Sequence, residues 1–288
     1  MKNALVVFNY NAGRKNAVLC KKQLKKFLFT KTNKFKFVSI DEFDSIDIAE
    51  YEIIFAVGGD GTVNKIAKYV AGTDKILAII PTGTANLLAA RLGFTTNIKK
   101  TLKILDKGNI KEVNLLDING NPCILRFGTG YDSDIICKTP QSLKNKFGYF
   151  AYFIAGVIFA TRLKQKKYEI FYDNKILTVD ATCIIVANAP NMYHNTVSVA
   201  NNSKLDDGLF EVFILKAKNP VAFFFEFLKV LIGFRKNNSR AIYLSTSNLK
   251  IKNNWCACHI DGERTRLKDD IEIKVMKNAV KVFGSGDL

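Results

Sequence analysis

The chain has 288 residues, of which 48% are hydrophobic, and it carries a formal net charge of +17. This length and composition predict a globular protein of one large or two ordinary domains and exclude a repeat or low-complexity architecture. The positive charge indicates a polyanionic partner, either an anionic membrane surface or a nucleic acid, although solvated lysine-rich helix faces would give the same balance.

The six cysteines are scattered and form no Cys-x-x-Cys pair, which argues against a disulfide framework and fits a reducing cytoplasm. Cys256, Cys258 and His259 suggest a metal site, but no second ligand pair follows, so structural cysteines are favoured. The apolar run within residues 1–9 is too short for a signal peptide and predicts a first strand.

Strands and helices alternate in the first half of the chain. The expected strands are residues 4–9, 35–40, 53–57 and 76–80. One helix is expected between the first two strands, one after residue 62, one over residues 87–92, and one carrying Ile98, Leu102 and Leu105 on its apolar face. This order predicts a mostly parallel sheet, whose ligands bind at the carboxyl ends of the strands. Three of those ends carry loops rich in Asn, Gly and Thr, at residues 9–13, 58–62 and 81–86, and we expect them to converge on one cleft.

The loop at residues 58–62 reads Gly58-Gly59-Asp60-Gly61-Thr62. A strand, a glycine turn and a helix N-terminus form an anion site, because backbone N–H groups and the helix dipole both favour negative charge there. Thr62 is expected to cap the helix. A carboxylate such as Asp60 beside a phosphate implies an intervening Mg²⁺. The alternative is a tight turn that needs no ligand.

From about residue 111, short alternating runs are separated by turn dipeptides, which predicts antiparallel strands in a β-sandwich. The turn dipeptides are Asn119-Gly120, Asp173-Asn174, Asn201-Asn202, Asn253-Asn254 and Lys277-Asn278. We therefore expect an α/β domain over residues 1–117 and a β-rich domain over residues 118–288.

Two apolar helical stretches, residues 147–161 and 220–234, interrupt the second domain. Both are too short to span a bilayer, which takes about 20 residues. They are expected to be covering helices that expose apolar surface towards a bilayer, with burial against the sandwich as the alternative for most of their side chains.

Six segments, in this order along the chain, resemble the diacylglycerol kinase-like lipid kinases, which include diacylglycerol, sphingosine and ceramide kinases. They are Asn9-Tyr10-Asn11-Ala12-Gly13, Gly58-Gly59-Asp60-Gly61-Thr62-Val63-Asn64, Pro81-Thr82-Gly83-Thr84-Ala85-Asn86, Gly128-Thr129-Gly130-Tyr131-Asp132, Leu205-Asp206-Asp207-Gly208-Leu209 and Asp261-Gly262-Glu263. NAD kinases share the glycine signature but not the last two segments as a set.

The resemblance implies an N-terminal α/β domain with a mostly parallel sheet, a mainly antiparallel β-sandwich as C-terminal domain, and the cofactors ATP and Mg²⁺. The implied nucleotide-binding residues are Asn11, Gly13, Ser39, Gly58, Gly59, Asp60, Gly61, Thr62, Val63, Asn64 and Thr84. Asp60 would hold Mg²⁺. Glu263, with Asp261 beside it, would be the general base for a lipid hydroxyl, and burial in an apolar cleft would raise its pKa usefully. Asp207, with the backbone carbonyls of Lys204 and Leu209, would bind a structural Mg²⁺. An ordinary Asp-Gly hairpin turn is the alternative for residues 261–263.

Three residues depart from the family pattern. Tyr10 replaces a proline, Lys65 replaces a glutamate and adds a cation near the expected phosphates, and Leu87 replaces an aspartate of the magnesium network. Family members that resemble long-chain-base kinases also lack that aspartate, so its absence is compatible with kinase activity but argues against diacylglycerol as the specific substrate. The expected substrate is therefore diacylglycerol or a related lipid such as a long-chain base.

Together these features predict an ATP- and Mg²⁺-dependent kinase that phosphorylates a hydroxyl of a membrane lipid. The expected partners are the lipid substrate and an anionic membrane surface, without nucleic acid, and the sequence leaves open whether two chains form a homodimer. The expected location is cytoplasmic and peripheral to the membrane. The alternatives are a soluble-substrate kinase of the NAD kinase type and a catalytically silent lipid-binding homologue.

Overall fold

The computed structural model describes residues 2–10, 14–83, 85–140, 142–143, 150–159, 163–188, 191–193, 197–198, 205–252, 257–267 and 270–285. Internal contacts divide the chain into two units. The first comprises Met1–Asn114 together with Lys277–Leu288, and the second comprises Leu115–Met276.

Helices and strands alternate at the start of the chain. In order, the elements are β1 (Lys2–Phe8), α1 (Arg14–Lys31), β2 (Thr32–Ser39), a short 3-10 helix (Phe43–Ser45), β3 (Ile53–Gly58), α2 (Asp60–Val70), β4 (Ile76–Pro81), α3 (Leu87–Arg91), α4 (Ile98–Lys107) and β5 (Ile110–Ile118).

Strands dominate the remainder. In order, the elements are β6 (Asn121–Cys123), β7 (Arg126–Gly130), α5 (Tyr131–Lys138), α6 (Phe150–Phe159), β8 (Lys166–Tyr172), β9 (Lys175–Ala181), β10 (Cys183–Ala187), β11 (Asn191–Tyr193), β12 (Val197–Ser198), β13 (Phe210–Leu215), α7 (Pro220–Leu231), β14 (Ala241–Thr246), β15 (Asn248–Ile251), β16 (Ala257–Ile260), β17 (Glu263–Arg266) and β18 (Ile271–Phe283).

The first unit is built on a parallel sheet with strand order β2-β1-β3-β4-β18. Strands β3 and β4 are apolar almost throughout and buried, as expected of parallel strands covered on both faces. Helix α2 buries Val63, Ile66, Ala67 and Val70, the face predicted from the sequence. The predicted α/β domain with a mostly parallel sheet is confirmed.

The register of this sheet brings several strand ends to one edge. Phe8 pairs with Val57 and Gly58 pairs with Pro81, so β1, β3 and β4 end level with one another. The loops that follow them therefore leave the sheet side by side, as the alternating pattern predicted.

The second unit contains a six-stranded antiparallel sheet with order β14-β13-β10-β7-β16-β17. Strands β8, β9, β15 and the first half of β18 form a second antiparallel layer. Side chains from both layers share one core, which includes Phe127, Ile170, Ile184, Phe210, Leu249 and Ile273. The predicted antiparallel β-sandwich is confirmed.

The opposite face of the six-stranded sheet is covered by helices. Side chains alternate between the faces of a strand: in β10, Ile184 and Val186 enter the sandwich core, whereas Cys183 and Ile185 pack with helical residues. The residues that α5, α6 and α7 contribute to this second cluster are Tyr131, Ile135, Ala155, Ala222, Phe223 and Val230. Both apolar helical stretches are therefore covering helices in their described parts. No helix among the described residues is both long and apolar enough to cross a bilayer.

The turn dipeptides were predicted with mixed success. Asn119-Gly120 and Asp173-Asn174 have positive φ and connect β5 to β6 and β8 to β9, as expected. Lys277-Asn278 is not a turn but lies inside β18, so that prediction is wrong. Asn278 has a φ of 51° and its N–H donates to Asn114 Oδ1, so a side chain holds the irregular backbone within a continuing strand. The dipeptides at residues 201–202 and 253–254 lie outside the described residues.

Candidate active site

The glycine turn of the first unit connects β3 directly to α2. Gly59 is the N-cap and Asp60 is the first helical residue. A Cβ atom on Gly61 would meet no atom within 4 Å, so the start of the helix is open on that side. The first N–H groups of a helix lack intrahelical acceptors and point out of its N-terminus. The turn thus presents what an anion requires, namely outward N–H groups, the positive end of the helix dipole, and room.

Two glycines are needed where the second and third loops touch. A Cβ atom on Gly83 would lie 2.5 Å from Gly59 Cα, and one on Gly59 would lie 3.2 Å from Gly83 Cα. The Thr82 N–H also donates to the Gly58 carbonyl (2.9 Å). The backbones of these loops are therefore in direct contact, and no side chain fits between them.

Asp60 links the same two loops through its side chain. Its Oδ1 accepts the Leu87 N–H at 2.7 Å, so the carboxylate at the start of α2 also bonds to the first residue of α3. Leu87 cannot supply a carboxylate, but it holds the carboxylate of Asp60 in place. A carboxylate can accept several hydrogen bonds or metal bonds at once, so this bond is compatible with a metal-binding role for Asp60.

Thr62 does not cap the helix, and that prediction is wrong. The helix begins two residues before it, and no side chain bonds at the N-cap. The Thr62 hydroxyl instead accepts a hydrogen bond from Asn9 Nδ2 at 3.0 Å and is buried, so Thr62 joins the loop after β1 to the glycine turn. With the contacts above, the glycine turn touches the described parts of both other predicted loops.

Asn86 closes the third loop. It adopts a left-handed conformation (φ 49°), its Oδ1 accepts the Gly83 N–H at 3.0 Å, and its Nδ2 donates to the Gly83 carbonyl at 2.7 Å. Sequence reasoning treated Asn86 only as part of a motif. Asparagine tolerates this conformation better than most residues, which was the available signal.

Other predicted nucleotide-binding residues have varied surroundings. Val63 belongs to the apolar core. Asn64 is buried, and its Oδ1 atom has no hydrogen-bond partner in the described part of the chain. Ser39 forms local bonds, its N–H to Glu42 (3.3 Å) and its hydroxyl to Asp41 (3.4 Å). Asn11, Gly13 and Thr84 lie outside the described residues.

Lys65 bonds to the segment before β3. Its ammonium donates to Asp44 Oδ2 at 2.7 Å and to the Ile40 carbonyl at 3.4 Å. Hydrogen bonds from Lys65 and then Tyr69 lower the pKa of Asp44. The charge that was expected to lie near the phosphates is therefore paired with a carboxylate.

In the second unit, Asp261-Gly262 forms the turn between β16 and β17, with φ values of 52° and 90°. Asp261 is held by the chain around residue 125. Its carboxylate accepts the N–H groups of Ile124 (2.9 Å), Leu125 (2.8 Å) and Arg126 (3.1 Å). Such a fully bonded carboxylate fixes the position of the turn. Glu263, the next residue but one, is exposed, so the expected burial in an apolar cleft is not found around it.

A buried ion cluster lies behind this turn. His259 Nε2 is 2.7 Å from Asp132 Oδ2, Arg126 Nη2 is 3.2 Å from Asp132 Oδ1, and the Gly262 N–H donates to His259 Nδ1 at 3.2 Å. Because Nδ1 accepts the Gly262 hydrogen bond, it carries no hydrogen itself, and Nε2 carries the hydrogen that His259 donates to Asp132. A Cβ atom on Gly128 would lie 2.0 Å from Asp132 Oδ2, which explains the glycine there.

The charge state of the cluster follows from its contacts. Burial would raise the pKa of Asp132, but the Arg126 charge and the hydrogen bond with His259 outweigh it and hold that pKa below its usual value. Sequence reasoning missed the cluster because Asp132 and His259 are 127 positions apart. Because both ring nitrogens of His259 are hydrogen-bonded within the cluster, His259 is not available as a ligand for the metal site considered in the sequence. Cys256, the other residue considered for that site, lies outside the described residues. Cys258 donates its thiol to the Thr265 carbonyl.

The predicted structural metal site is described in part. Asp207 Oδ1 accepts the Leu209 N–H at 2.9 Å, and both residues are exposed. Burial, and then the charge of Asp207, raise the pKa of Glu211, so a second carboxylate lies near the first. Lys204 lies outside the described residues.

Two family models match the chain in succession. The diacylglycerol kinase catalytic domain matches residues 3–118, and the YegS C-terminal NAD kinase beta sandwich-like domain matches residues 126–284. The chain belongs to the diacylglycerol kinase-like lipid kinase family. The resemblance noted in the sequence is thus confirmed over nearly the whole chain.

Individual members of this lipid kinase family align over large parts of the chain. A protein of Bacillus subtilis (strain 168) named "Diacylglycerol kinase" is 29% identical over 220 residues, 75% of this chain and 72% of that protein. A "Probable lipid kinase YegS-like" of Citrobacter koseri is 32% identical over 142 residues, which cover 48% of this chain and 48% of that protein. The crystal structure of a diacylglycerol kinase from Bacillus anthracis str. Sterne covers 99% of this chain and 97% of its own, with a TM-score of 0.75 at 19% identity, and bears on the fold alone.

Proposed function

We propose that this protein is an ATP- and Mg²⁺-dependent lipid kinase that transfers the γ-phosphoryl group to a hydroxyl of a membrane lipid. Family membership supports a lipid kinase. The observation that carries the proposal is the interlocked glycine turn, in which Asp60 at the start of α2 bonds to Leu87 and Gly59 touches Gly83.

The nucleotide phosphates would lie at the N-terminus of α2. The backbone of residues 58–64 would cradle them, with Thr62 as part of the wall. Asn11, Gly13, Ser39 and Thr84 remain in the proposed nucleotide site on the strength of the family resemblance. Such a site works by positioning and by charge stabilisation, because phosphoryl transfer requires little covalent chemistry from the protein.

The residues of the glycine turn suit a divalent cation. Asp60 is a hard oxygen ligand beside the proposed phosphates, and Asn64, four residues further along α2, has an amide oxygen with no hydrogen-bond partner among the described residues. A bound Mg²⁺ would neutralise developing charge on the phosphate oxygens. Asp60 would hold it, oriented by the Leu87 N–H.

Glu263 is the proposed general base. In the reaction, the lipid oxygen bonds to the γ-phosphorus, the bond from that phosphorus to the bridging oxygen breaks, ADP leaves, and the hydroxyl proton passes to Glu263. Because Glu263 is exposed, bound lipid would have to supply the apolar surroundings that favour proton transfer. Asp261 is a positioning residue in this scheme, since its carboxylate holds the turn from which Glu263 projects.

A second Mg²⁺ is proposed at Asp207, with the carbonyls of Lys204 and Leu209. The nearby Glu211 carboxylate fits a cation site, because a cation would relieve the repulsion between the two acidic groups. This site would be structural and would not contact substrate.

The lipid is proposed to be diacylglycerol or a related lipid such as a long-chain base. The relatives named diacylglycerol kinase support the former, and Leu87, in place of the family's aspartate, supports the latter. The exposure of Glu263 favours one further candidate, a catalytically silent lipid-binding homologue. A soluble-substrate kinase of the NAD kinase type remains the alternative from sequence.

The protein is proposed to act in the cytoplasm as a peripheral protein on anionic membrane, because the net charge of +17 attracts such a surface. Binding to liposomes should rise with anionic lipid content and fall with salt.

One experiment separates the candidates. The full chain is incubated with labelled ATP, Mg²⁺ and either NAD or a panel of diacylglycerol, long-chain base, ceramide, phosphatidylglycerol and polyprenol in mixed micelles. Label in one or more lipids supports the proposal. Label only in NAD would establish the soluble-substrate kinase, and no label with intact lipid binding would establish the silent homologue.

A further inference from the structure

Helix α7 (Pro220–Leu231) is apolar on two opposite sides, and within the described part of the chain only one of them packs into a core. Ala222, Phe223 and Val230 pack into the cluster on the six-stranded sheet. The side turned away from the sheet is also apolar and is exposed. Its residues are Val221, Phe224, Phe225, Leu228 and Ile232, and Phe234 follows in the next turn of the chain.

These exposed residues form one continuous stripe. Positions 221, 225, 228 and 232 recur at intervals of three and four, which places them in line along one face of a helix. An apolar helix is ordinarily buried all round, so a stripe of this kind marks a surface that another body covers.

The charges beside the stripe identify that body. Lys218, Lys236 and Arg240 are exposed at its two ends, and the ammonium of Lys236 lies 5.8 Å from the ring centre of Phe234. The single acidic residue between Lys216 and Arg240 is Glu226, which is buried and bonds to Lys229 (2.7 Å) and Asn238 (3.3 Å). The stripe is thus flanked by cations and carries no exposed carboxylate.

We propose that this stripe, Val221–Phe234 with its flanking cations, is the face by which the protein docks on an anionic lipid bilayer. The aromatic and aliphatic side chains would enter the interface between headgroups and acyl chains, and the basic side chains would contact the headgroups. The inference rests on the proposed lipid kinase function for its purpose and on the exposed stripe for its location. A second copy of the chain fits less well, because a two-fold interface would bring like charges together.

The test uses a matched pair of variants. Phe225 and Ile232, which are 50% and 72% exposed, are replaced in Phe225→Ser/Ile232→Ser. Phe29 and Ile176, which are both 66% exposed but lie on α1 and β9, are replaced in Phe29→Ser/Ile176→Ser. Both variants lose one exposed phenylalanine and one exposed isoleucine, so non-specific hydrophobic binding to vesicles should fall to a similar extent in the two.

Binding is measured by sedimentation with phosphatidylcholine vesicles containing about one-third phosphatidylglycerol, without ATP, so that failure of the kinase proposal does not affect the readout. We expect the α7 variant to bind at least about tenfold more weakly than wild type, since the transfer energy of two apolar side chains is lost. The control variant should stay within about twofold. Replacing Lys236 by Gln should weaken binding about fivefold, in keeping with one basic contact.

Equal binding by the two double variants would overturn the proposal. So would an α7 variant that changes a wild-type dimer to a monomer in sedimentation velocity while vesicle binding persists, because the stripe would then be a subunit interface. If the α7 variant does not fold, Phe225→Trp and Ile176→Trp in a Trp255→Phe background give the same information. Brominated lipid should quench the tryptophan at 225 and not the one at 176, and the reverse would overturn the docking face.

Discussion

His259 Nε2 lies 2.7 Å from Asp132 Oδ2 in the interior of the second unit, and the other nitrogen of the same ring accepts the Gly262 N–H. The imidazole thus connects a buried carboxylate to the turn that precedes Glu263. A side chain that never contacts substrate would in this way set the position of the proposed base.

We expect Asp132→Ala to destabilise the protein by about 3 kcal/mol, because it leaves the partly buried Arg126 charge and the buried His259 N–H without their acceptor. It should also lower kcat more than it changes KM for ATP, since the Gly262 turn loses its support. Urea unfolding and steady-state kinetics measure the two effects. Asp134→Ala on the same helix is the control: its exposed ion pair with Lys138 should cost no more than about 0.5 kcal/mol. Equal losses in both variants would contradict the role of the cluster.

The Asp132 contribution should depend on pH in the acid range. The folded-state pKa of Asp132 is lowered, so its contribution is fully present above the unfolded pKa of about 3.9 and is lost as the pH falls through the lower folded value. The stability difference between wild type and Asp132→Ala, measured by urea unfolding from pH 6 downwards, should hold until about pH 5 and shrink below pH 4. A difference that grows on acidification would refute this assignment.

Gly83→Ala should disrupt the glycine turn, because the added Cβ would lie 2.5 Å from Gly59 Cα and 3.0 Å from Asn86 Oδ1. We expect a loss of about 2 kcal/mol in stability and weaker ATP binding by calorimetry. Gly61→Ala is the matched control for stability. Its Cβ meets nothing within 4 Å, and alanine is favoured over glycine in a helix by about 0.5–1 kcal/mol, so its melting temperature should hold or rise.

Asp60→Asn should separate hydrogen bonding from charge. The asparagine carbonyl can still accept the Leu87 N–H, so stability should change little, but a neutral amide is a weaker ligand for a hard cation. The Mg²⁺ concentration for half-maximal activity should rise at least about tenfold. Asp44→Asn, which removes the negative charge that faces Lys65, should leave that concentration unchanged. A Mg²⁺ requirement that is the same in all three proteins would exclude Asp60 as a ligand.

Glu263→Gln should lower kcat on the order of a hundredfold or more, with KM for ATP within about twofold, since only proton transfer is removed. Glu272→Gln, at an exposed glutamate paired with Lys274, should keep full activity. Undiminished turnover by Glu263→Gln would mean that Glu263 is not the base and that another group, or water, takes the proton.

Local patterns in the sequence predicted the elements that build the proposed nucleotide site. Strand β3 was predicted from the apolar run at residues 53–57, and helix α2 from the spacing of Val63, Ile66, Ala67 and Val70. Both predictions succeeded because the periodicity of buried side chains can be read from residues that are close in sequence. The same logic located the Asn119-Gly120 turn. These features depend on side chains within a few positions of one another.

The wrong or missing predictions are of two kinds. Some concern contacts between residues far apart in sequence, and others concern residues that are compatible with more than one local conformation or hydrogen-bond partner. Thr62 is a residue type that commonly caps helices, yet its hydroxyl accepts a hydrogen bond from Asn9, which lies in another loop. Asn278 is compatible with a turn, yet β18 continues through it as a strand. The residues of β18 before Asn278 pair with β15, and those after it pair with β4. The Asp132–His259 pair leaves no periodic trace, since only the folded sheet brings its members together.

Strand β18 gives its first half to the sandwich and its last residues to the parallel sheet, where Lys281 and Val282 pair with Ile76 and Leu77. The α/β unit is therefore built from two separate segments of the chain, Met1–Asn114 and Lys277–Leu288. A fragment cut once near residue 114 would leave the outer side of β4 unpaired, as an open template for other chains. The α/β unit is accordingly not an independent fragment of the chain: its sheet is completed by residues that are translated after the β-sandwich.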